Sequence, residues 1–301
     1  LTPKPTSLPK TKFSRNPKFS IVIPLYKTPE KYLQQLVDSI EAQTYGNWEL
    51  CLSDGSGEDS SIAGILEEYT KKDSRIRVKD NKKQLHISDN TNVALDMATG
   101  DYIAFMDHDD LLTPDALYEC VAELNEYPDT ELIYTDEDKV RADLSEHFQP
   151  NLKPDFNLDL LRSNNYICHF FVVRRTIVET IGGFRKEYDG AQDYDFIFRC
   201  CESAKEIYHV PEILYHWRTH QASTADNPAS KMYAFEAGKR AIEGNLERCH
   251  LKAEVSHTKD LGFYRVKYEV EGTPLISIII PNKDERESLK KCIDSIEKKS
   301  T

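Results

Sequence analysis

The sequence predicts an α/β fold in which a mostly parallel β-sheet is flanked by helices. Two observations carry this prediction: short apolar runs alternate with amphipathic helical patterns, and polar residues follow the apolar runs. The chain has 301 residues, of which 39% are hydrophobic, which is enough for one large domain and a shorter appended segment. We therefore expect a folded globular protein.

The first strand and helix show the pattern most clearly. The apolar run 19–24 ends at Pro24 and predicts a buried parallel strand. Thr28 as the N-cap and Pro29 in the first turn predict where a helix begins. The apolar face of this helix recurs at helical spacing, at Leu33, Leu36, Val37 and Ile40.

The same alternation continues along the chain. Further strands are predicted at 48–52, 75–78, 102–106 and 132–134, and further helices at 62–69, at 88–98 and from 111–114 onward. The strand ends carry Tyr26, Asp54 and the run Asp107-His108-Asp109-Asp110. Because ligands of open α/β sheets bind beyond the carboxyl ends of the strands, we expect the functional site there.

Charge and composition exclude several classes of function. The formal net charge of -12 argues against a nucleic-acid partner. Residues 1–17 are rich in Pro and Lys and predict a flexible leader, which is either a solvated tail or a weak contact with an anionic membrane surface.

Two nucleotide-binding motifs are missing from the sequence: it contains neither a Walker A loop nor a dinucleotide-binding glycine motif. The seven cysteines form no C-x-x-C pair, so we expect a cytoplasmic protein, with the inner face of the membrane left open.

The run Asp107-His108-Asp109-Asp110 is the strongest chemical signal. Three carboxylates within four residues repel one another and are costly to desolvate, and a bound divalent cation removes that cost. Oxygen ligands favour Mg²⁺ or Mn²⁺, which would bridge a substrate diphosphate. The alternative is a solvated loop with a helix cap, but a cap needs only one aspartate.

Several segments, taken in order, resemble the family 2 glycosyltransferases, which have the GT-A fold. They are Ile23-Pro24-Leu25-Tyr26, Asp54-Gly55-Ser56, the run from Ala98 to Asp110, Gly182-Gly183-Phe184, Gln192-Asp193 and the run from Leu214 to His220. The resemblance covers residues 18–250. Two departures, Ser53 before Asp54 and the triplet 90–92, leave the identity of the donor open.

The resemblance implies roles for residues at the strand ends. Pro24, Tyr26 and Asp54 would hold the nucleobase, with Asp54 accepting the N3–H of a pyrimidine and Tyr26 packing on the ring. Asp107, with His108 beside it, would contact the ribose or the diphosphate. A turn residue before Gly55 is the alternative interpretation of Asp54.

The same resemblance implies the metal ligands and the base. Asp109 would bind Mn²⁺ or Mg²⁺, and His220 would complete the metal site. Asp193 would be the general base that takes the proton of the acceptor hydroxyl. Asp195 is the rival base, although two residues along a helix place it on a different face. Arg218 would face either the diphosphate or a surface carboxylate.

Two segments keep two interpretations each. The acidic run 135–138 is either part of the acceptor side of the cleft or a solvated loop. Residues 164–169 either line the acceptor cleft or bond locally within a turn.

The end of the chain repeats its beginning. Residues 276–281 are similar to 19–24, and 293–297 are similar to 37–41. We therefore predict a leader at 1–17, a glycosyltransferase domain at 18–250, a linker at 251–273, and the truncated start of a second such domain at 274–301. A coincidental similarity of strand and helix is the alternative.

The resemblance implies an inverting glycosyltransferase that moves a sugar from a UDP- or dTDP-sugar to a glycan or glycoprotein. A sugar nucleotidyltransferase is one alternative, but residues 25–30 contain no glycine for its phosphate loop. A phosphatase with Asp107 as nucleophile would carry its aspartates on an early strand. A catalytically silent glycan-binding domain would not need the acidic run together with Asp193.

Overall fold

The computed structural model describes residues 12–219 and 232–300. The chain divides into two compact units, Leu1–Tyr268 and Glu269–Thr301. Within the described residues, no helix is both long and apolar enough to cross a membrane.

The first unit contains a large sheet and a separate hairpin. The strands of the sheet are β1 (Phe19–Leu25), β2 (Trp48–Asp54), β3 (Ile76–Asp80), β4 (Tyr102–Phe105), β5 (Leu111–Leu112), β6 (Leu132–Arg141), β7 (His147–Asn151), β8 (Phe171–Arg174) and β9 (Ile207–Thr219). The hairpin strands are β10 (Ala253–His257) and β11 (Tyr264–Tyr268).

Helices flank this sheet. They are α1 (Glu30–Glu41), α2 (Ala63–Lys72), α3 (Ile87–Leu95), α4 (Ala116–Glu126), α5 (Leu158–Leu161), α6 (Arg175–Ile181), α7 (Gln192–Ser203) and α8 (Met232–Arg248).

The strand order of the sheet is β3-β2-β1-β4-β8-β6-β9-β5, with β7 paired to β6. Strands β3, β2, β1 and β4 are parallel to one another. Strand β8 is antiparallel to both β4 and β6, and β6 is parallel to β9. The predicted α/β fold is confirmed, but the alternation of strands and helices did not predict the antiparallel strands β8, β7 and β5. Strand β5 lies at 111–112, where the sequence predicts the start of a helix; that helix, α4, begins at Ala116.

The sheet is buried on both faces. In β1 the side chains of Ile21 and Ile23 lie in one core and that of Val22 in the other, because successive residues of a strand point to opposite faces. Helices α1 and α4 contribute to the first core, and α7 and α8 to the second. Three cysteines of these segments are buried and free: Cys51, Cys120 and Cys200.

Helix α1 begins one residue later than the sequence predicts. The first helical residue is Glu30, and Pro29 rather than Thr28 lies at the N-cap position without a side-chain cap. The prediction that Thr28 caps the helix is therefore wrong. The hydroxyl of Thr28 is instead 2.9 Å from Nδ1 of His108, which ties the start of α1 to the acidic run after β4.

The segment predicted as a linker, 251–273, contains the β10–β11 hairpin. The amide of Tyr264 donates to the carbonyl of Ser163 over 2.8 Å, and its hydroxyl donates to the carbonyl of Phe235 over 2.9 Å. These bonds join the hairpin to α8 and to the loop after α5. The domain boundaries stay predictions.

The second unit contains α9 (Arg286–Lys299), which includes the predicted repeat of α1. Residues 276–280, the predicted repeat of β1, form no strand, and Ile279 is 90% exposed. A strand needs a neighbouring strand for its backbone hydrogen bonds, and the described residues of this unit supply none.

Candidate active site

A cleft of about 480 Å³ lies at the carboxyl ends of β1 and β4. Pro24 from β1, Asp107 from the end of β4 and Asp193 from α7 all line it. The aromatic rings of Phe105 and Phe184 form part of its apolar wall. The fold therefore brings together three predicted site residues that lie far apart in the sequence.

A second pocket adjoins the cleft and shares Pro24 with it. Tyr26 and His108 line this pocket, together with Gln84. The side chain of Tyr26 is 41% exposed, and its hydroxyl accepts a hydrogen bond of 2.6 Å from Nε2 of Gln84. An exposed aromatic ring at the end of β1 gives a flat apolar surface on which a planar ring can pack.

Asp54 lies at the end of β2 but is fully buried. One carboxylate oxygen accepts a hydrogen bond of 2.9 Å from the amide of Ser56, and the other accepts one from the hydroxyl of Ser60. These are the contacts of a residue that shapes a turn. Direct contact between Asp54 and a nucleobase stays a prediction.

The run after β4 places its members in different surroundings. The side chain of Asp107 is 52% exposed, and its Oδ2 is 3.6 Å from Nε2 of His169. Asp110 is fully buried, where it accepts a hydrogen bond of 2.5 Å from the hydroxyl of Tyr215 and one of 2.7 Å from the amide of Arg218. Burial and the charges of Asp109 and Asp107 raise the pKa of Asp110 well above its usual range.

Ligand atoms of Asp107, Asp110 and His169 all lie within 4.8 Å of one another. Two carboxylates and one imidazole fit a divalent cation such as Mn²⁺. Asp109, the predicted ligand, lies between the two aspartates but is not in this group. His220, the other predicted ligand, lies outside the described residues.

Arg218 is fully buried and contacts neither a surface carboxylate nor the cleft. Its Nε donates to the carbonyl of Asp109 over 2.5 Å, and its Nη1 donates to the carbonyl of Ala142 over 3.0 Å. The guanidinium lies 4.4 Å from the ring centroid of Tyr32. Arg218 thus holds the backbone of the acidic run rather than a surface carboxylate, and a contact with the donor diphosphate stays a prediction.

Asp193 lies in the first turn of α7, at the wall of the cleft. Its Oδ2 accepts a hydrogen bond of 2.8 Å from Nδ2 of Asn165 and is 3.9 Å from the sulfur of Cys168. Asp195 is fully buried and bonds to the guanidinium groups of Arg185 and Arg199. A carboxylate that two arginines hold in the interior cannot reach an acceptor, so the geometry favours Asp193 over its rival.

The two ambiguous segments are resolved differently. Within 164–169, Cys168 and His169 line the cleft, while the amide of Tyr166 donates to the carbonyl of Asn164 over 2.8 Å within a local turn. The acidic run 135–138 belongs to β6 and is buried, so the interpretation as a solvated loop is wrong.

Asp110 and His169 lie in segments that the sequence singles out, but neither is assigned there as an individual metal ligand, and Tyr215 is assigned no role of its own. His169 precedes β8, and β8 runs antiparallel to β4. The start of an antiparallel strand lies beside the end of its neighbour, so the register of β8 places His169 next to Asp107. The sequence shows the apolar run 170–173, which is not among the predicted strands and does not indicate which strand it would pair with.

Comparison with known proteins places this cleft in a family. The profile described as glycosyl transferase family 2 matches residues 20–182. The O-antigen biosynthesis protein RfbC of Myxococcus xanthus is 37% identical over 285 residues, which are 95% of this chain and 22% of that protein. Hyaluronan synthase of Pasteurella multocida is 29% identical, over 70% of this chain and 21% of the synthase. The chain thus spans about a fifth of the length of either relative.

Solved structures show the same fold. Residues 1–349 of S. aureus TarS in complex with UDP-GlcNAc superpose with a TM-score of 0.62 at 21% identity, over 76% of this chain and 66% of that one. The mannosyltransferase PcManGT of Pyrobaculum calidifontis, in complex with GDP-Man and Mn²⁺, superposes with a TM-score of 0.56 at 14% identity, over 80% and 68% of the two chains.

Proposed function

The chain belongs to glycosyl transferase family 2, and we propose that its cleft transfers a sugar from a UDP- or dTDP-linked donor to a hydroxyl of a glycan or glycoprotein, with inversion at the anomeric carbon. The protein is a glycosyltransferase with the GT-A fold. One observation carries the proposal: Pro24, Asp107 and Asp193 line one cleft at the carboxyl ends of parallel strands.

In this proposal the pocket around Tyr26 binds the nucleobase. Its exposed ring packs on the base, and Pro24 and His108 form the adjoining walls. Asp54 positions this region by fixing the turn through Ser56 and Ser60. The complexes of TarS with UDP and UDP-GlcNAc support a uridine nucleotide.

The donor diphosphate lies next to the acidic run. Asp107, Asp110 and His169 would hold a divalent cation. The resemblance adds Asp109 and His220 as ligands, of which His220 lies outside the described residues. When bound, Mn²⁺ or Mg²⁺ would neutralise the negative charge on the departing nucleoside diphosphate. The Mn²⁺ complex of the related mannosyltransferase supports a divalent cation.

Asp193 acts as the general base. Its carboxylate takes the proton of the acceptor hydroxyl while that oxygen attacks the anomeric carbon, and the bond from this carbon to the diphosphate oxygen breaks. The hydrogen bond from Asn165 orients the carboxylate. Attack opposite the leaving group gives inversion.

The acceptor is a glycan of a surface polysaccharide. Support comes from the named relatives, an O-antigen biosynthesis protein and a hyaluronan synthase. The net charge of -12 argues against a nucleic-acid acceptor. A cytoplasmic location, with the basic leader 1–17 near an anionic membrane surface, is part of the same proposal.

A donor screen tests the proposal first. Thermal unfolding is measured with Mn²⁺ and UDP-glucose, UDP-galactose, their N-acetyl forms or dTDP-rhamnose, and one donor is expected to raise the Tm. The release of nucleoside diphosphate from that donor is then measured with a glycan acceptor.

Asp193→Asn is expected to lower this release by about 10²–10⁴-fold, because the amide cannot accept the proton. Asp129→Asn, at an exposed acid in the loop after α4, is the matched control and is expected to keep the wild-type rate. Unchanged release in Asp193→Asn would remove Asp193 from its role. A Tm that no donor raises would contradict the donor class.

A further inference from the structure

A second group of possible metal ligands lies on β6, β7 and β9. It consists of Asp138, His147 and His216, whose ligand atoms all lie within 4.8 Å of one another. It shares no residue with the group in the cleft, which is formed by Asp107, Asp110 and His169. Neither the proposed transfer reaction nor the family resemblance uses this second group.

The three side chains converge from three strands. Nδ1 of His216 is 2.5 Å from Oδ1 of Asp138, and Nδ1 of His147 is 3.1 Å from Oδ2 of the same residue. The two imidazole rings are 4.4 Å apart between centroids and inclined at 73° to each other. The backbone pairings of β6 with β7 and β9 fix all three Cα positions.

Two of the three side chains are largely buried, and the third is half exposed to solvent. The side chains of Asp138 and His216 are 10% and 18% exposed, whereas that of His147 is 49% exposed. A cation can therefore enter past His147 and keep one position for water. The backbone that carries Asp138 and His216 is held within the sheet.

The ligand types select the class of metal. Two imidazoles and one carboxylate are borderline ligands that suit Zn²⁺, in contrast to the harder, carboxylate-rich group in the cleft. Zinc bonds to nitrogen and oxygen of about 2.0–2.2 Å place ligand atoms around one ion at separations of about 3–4 Å. The separation of 3.1 Å between His147 and Asp138 already lies in that range, whereas the one of 2.5 Å between His216 and Asp138 must widen to reach it.

We propose that Asp138, His147 and His216 form a second divalent-cation site, specific for Zn²⁺-like ions and distinct from the site in the cleft. The bound ion links β7 to β6 and β9. Strand β9 also carries Tyr215, whose hydroxyl contacts Asp110, so the ion stabilises the strand that supports the cleft. The alternative is a hydrogen-bonded cluster in which one carboxylate accepts from two neutral imidazoles.

The test compares the whole chain with a variant at the exposed ligand. Wild type and His147→Gln are freed of metal with EDTA, and Zn²⁺ is titrated against a chromophoric competitor. Glutamine keeps a hydrogen-bond donor for Asp138 but removes the imidazole. His257→Gln is the matched control, because His257 pairs with a single carboxylate, that of Glu236, at 2.9 Å.

Wild type and His257→Gln are expected to bind one more equivalent of Zn²⁺ than His147→Gln, or to bind it at least about a hundredfold more tightly. Zn²⁺ is also expected to raise the Tm of wild type more than that of His147→Gln, while the metal-free forms unfold at similar temperatures. Asp107→Asn should retain the extra equivalent, which separates this site from the cleft.

Equal stoichiometry and affinity in wild type and His147→Gln would overturn the proposal in favour of the hydrogen-bonded cluster. The same conclusion follows if wild type binds no Zn²⁺. Should His147→Gln fail to fold without metal, Asp138→Asn replaces it, because the amide keeps the shape of the side chain and removes its charge.

Discussion

The two acidic runs of the chain differ in how their charges are met. The first run, 107–110, follows β4, and the second, 135–138, lies within β6. In the second run every carboxylate contacts a basic or imidazole side chain: Asp136 contacts His209, Glu137 contacts Lys153, and Asp138 contacts His147 and His216. In the first run the buried Asp110 is held by a tyrosine hydroxyl and a backbone amide, neither of which carries a charge.

This difference shows that a run of acids does not by itself identify a site. Acids that are matched one by one with basic groups, as Asp136 and Glu137 are, support the fold, whereas Asp138 lies between two imidazoles at the proposed second cation site. Asp107 and Asp110 share a small space with a single imidazole, that of His169, and such a group is stabilised when a cation arrives. The four predictions below test this distinction.

The largest effect is expected where a matched charge is removed from the second run. The side chain of Lys153 is fully buried, its ammonium is 3.2 Å from Glu137, and it donates to the carbonyl of Ile167 over 2.7 Å. Lys153→Met would leave Glu137 as an uncompensated buried charge. The free energy of unfolding, measured with urea, should fall by about 3–5 kcal/mol.

The double variant Lys153→Met/Glu137→Gln provides the control for this prediction. Because it removes both charges, most of the lost stability should return. A single variant within about 1 kcal/mol of wild type would contradict the claim that the second run is held by matched charges.

In the first run, Asp107→Asn should affect activity rather than stability. Desolvation and the charges of Asp109 and Asp193 raise the pKa of Asp107, although His169 attracts its carboxylate, so neutralisation of this side chain should not destabilise the fold. Release of nucleoside diphosphate should fall by about 10²–10³-fold, because a group that holds the cation is lost. The free energy of unfolding should stay equal to that of wild type or rise.

Asp129→Asn again serves as the exposed control for Asp107→Asn. A variant that is destabilised by more than about 1 kcal/mol but retains full activity would reverse the comparison between the two runs. It would assign Asp107 to the fold and leave the cleft without its proposed cation ligand.

The sequence predicts those site residues whose position follows from the end of a strand. It does not predict features that depend on side chains distant in the sequence. Pro24, Tyr26 and Asp107 follow apolar runs directly, so parallel strands place them at one edge of the sheet. The burial of the second run depends on Lys153 and His209, which lie far along the chain. No local pattern in 135–138 distinguishes a buried strand from a solvated loop.

The role of Arg218 could not be predicted for a related reason. Its guanidinium bonds to the carbonyls of Asp109 and Ala142. Every residue has a backbone carbonyl, so the sequence does not indicate which carbonyls accept such bonds. Similarly, the carboxylate of Asp54 is occupied by a backbone amide and a hydroxyl of its own turn. The predictions were a contact with a diphosphate or a carboxylate for Arg218 and with a nucleobase for Asp54, whereas the bonds in the structure go to groups of the protein itself.

Glu49 is a further buried acid that pairs with a basic side chain, that of Lys18. Its contribution to stability can be measured as a function of pH. Burial would raise the pKa of this carboxyl, but hydrogen bonds from Lys18, Ser20 and Thr99 lower it to about 2. A folded-state pKa below the unfolded value of 4.5 contributes stability that is present above pH 4.5 and is lost as the pH falls towards 2.

Glu49→Gln should therefore be less stable than wild type by up to about 3 kcal/mol at pH 7, and the difference should shrink steadily below pH 4.5. Urea denaturation at a series of pH values measures it. A difference that does not vary with pH would mean that the hydrogen bonds of Glu49 do not depend on its charge. Glu67→Gln, at an exposed acid of α2, is the control.

The smallest effect is expected at Tyr26, a proposed site residue that carries no charge. If the base packs on its exposed ring, Tyr26→Ala should raise the KM for the donor by about five- to thirtyfold, which corresponds to about 1–2 kcal/mol of lost stacking. Tyr26→Phe keeps the ring and loses only the hydrogen bond from Gln84, so its KM should change by less than about threefold.

In both Tyr26 variants kcat should stay near that of wild type, because a base that stacks equally well before and during the transfer contributes uniform binding. An equal loss in Phe and Ala would instead assign the binding energy to the hydroxyl and to Gln84.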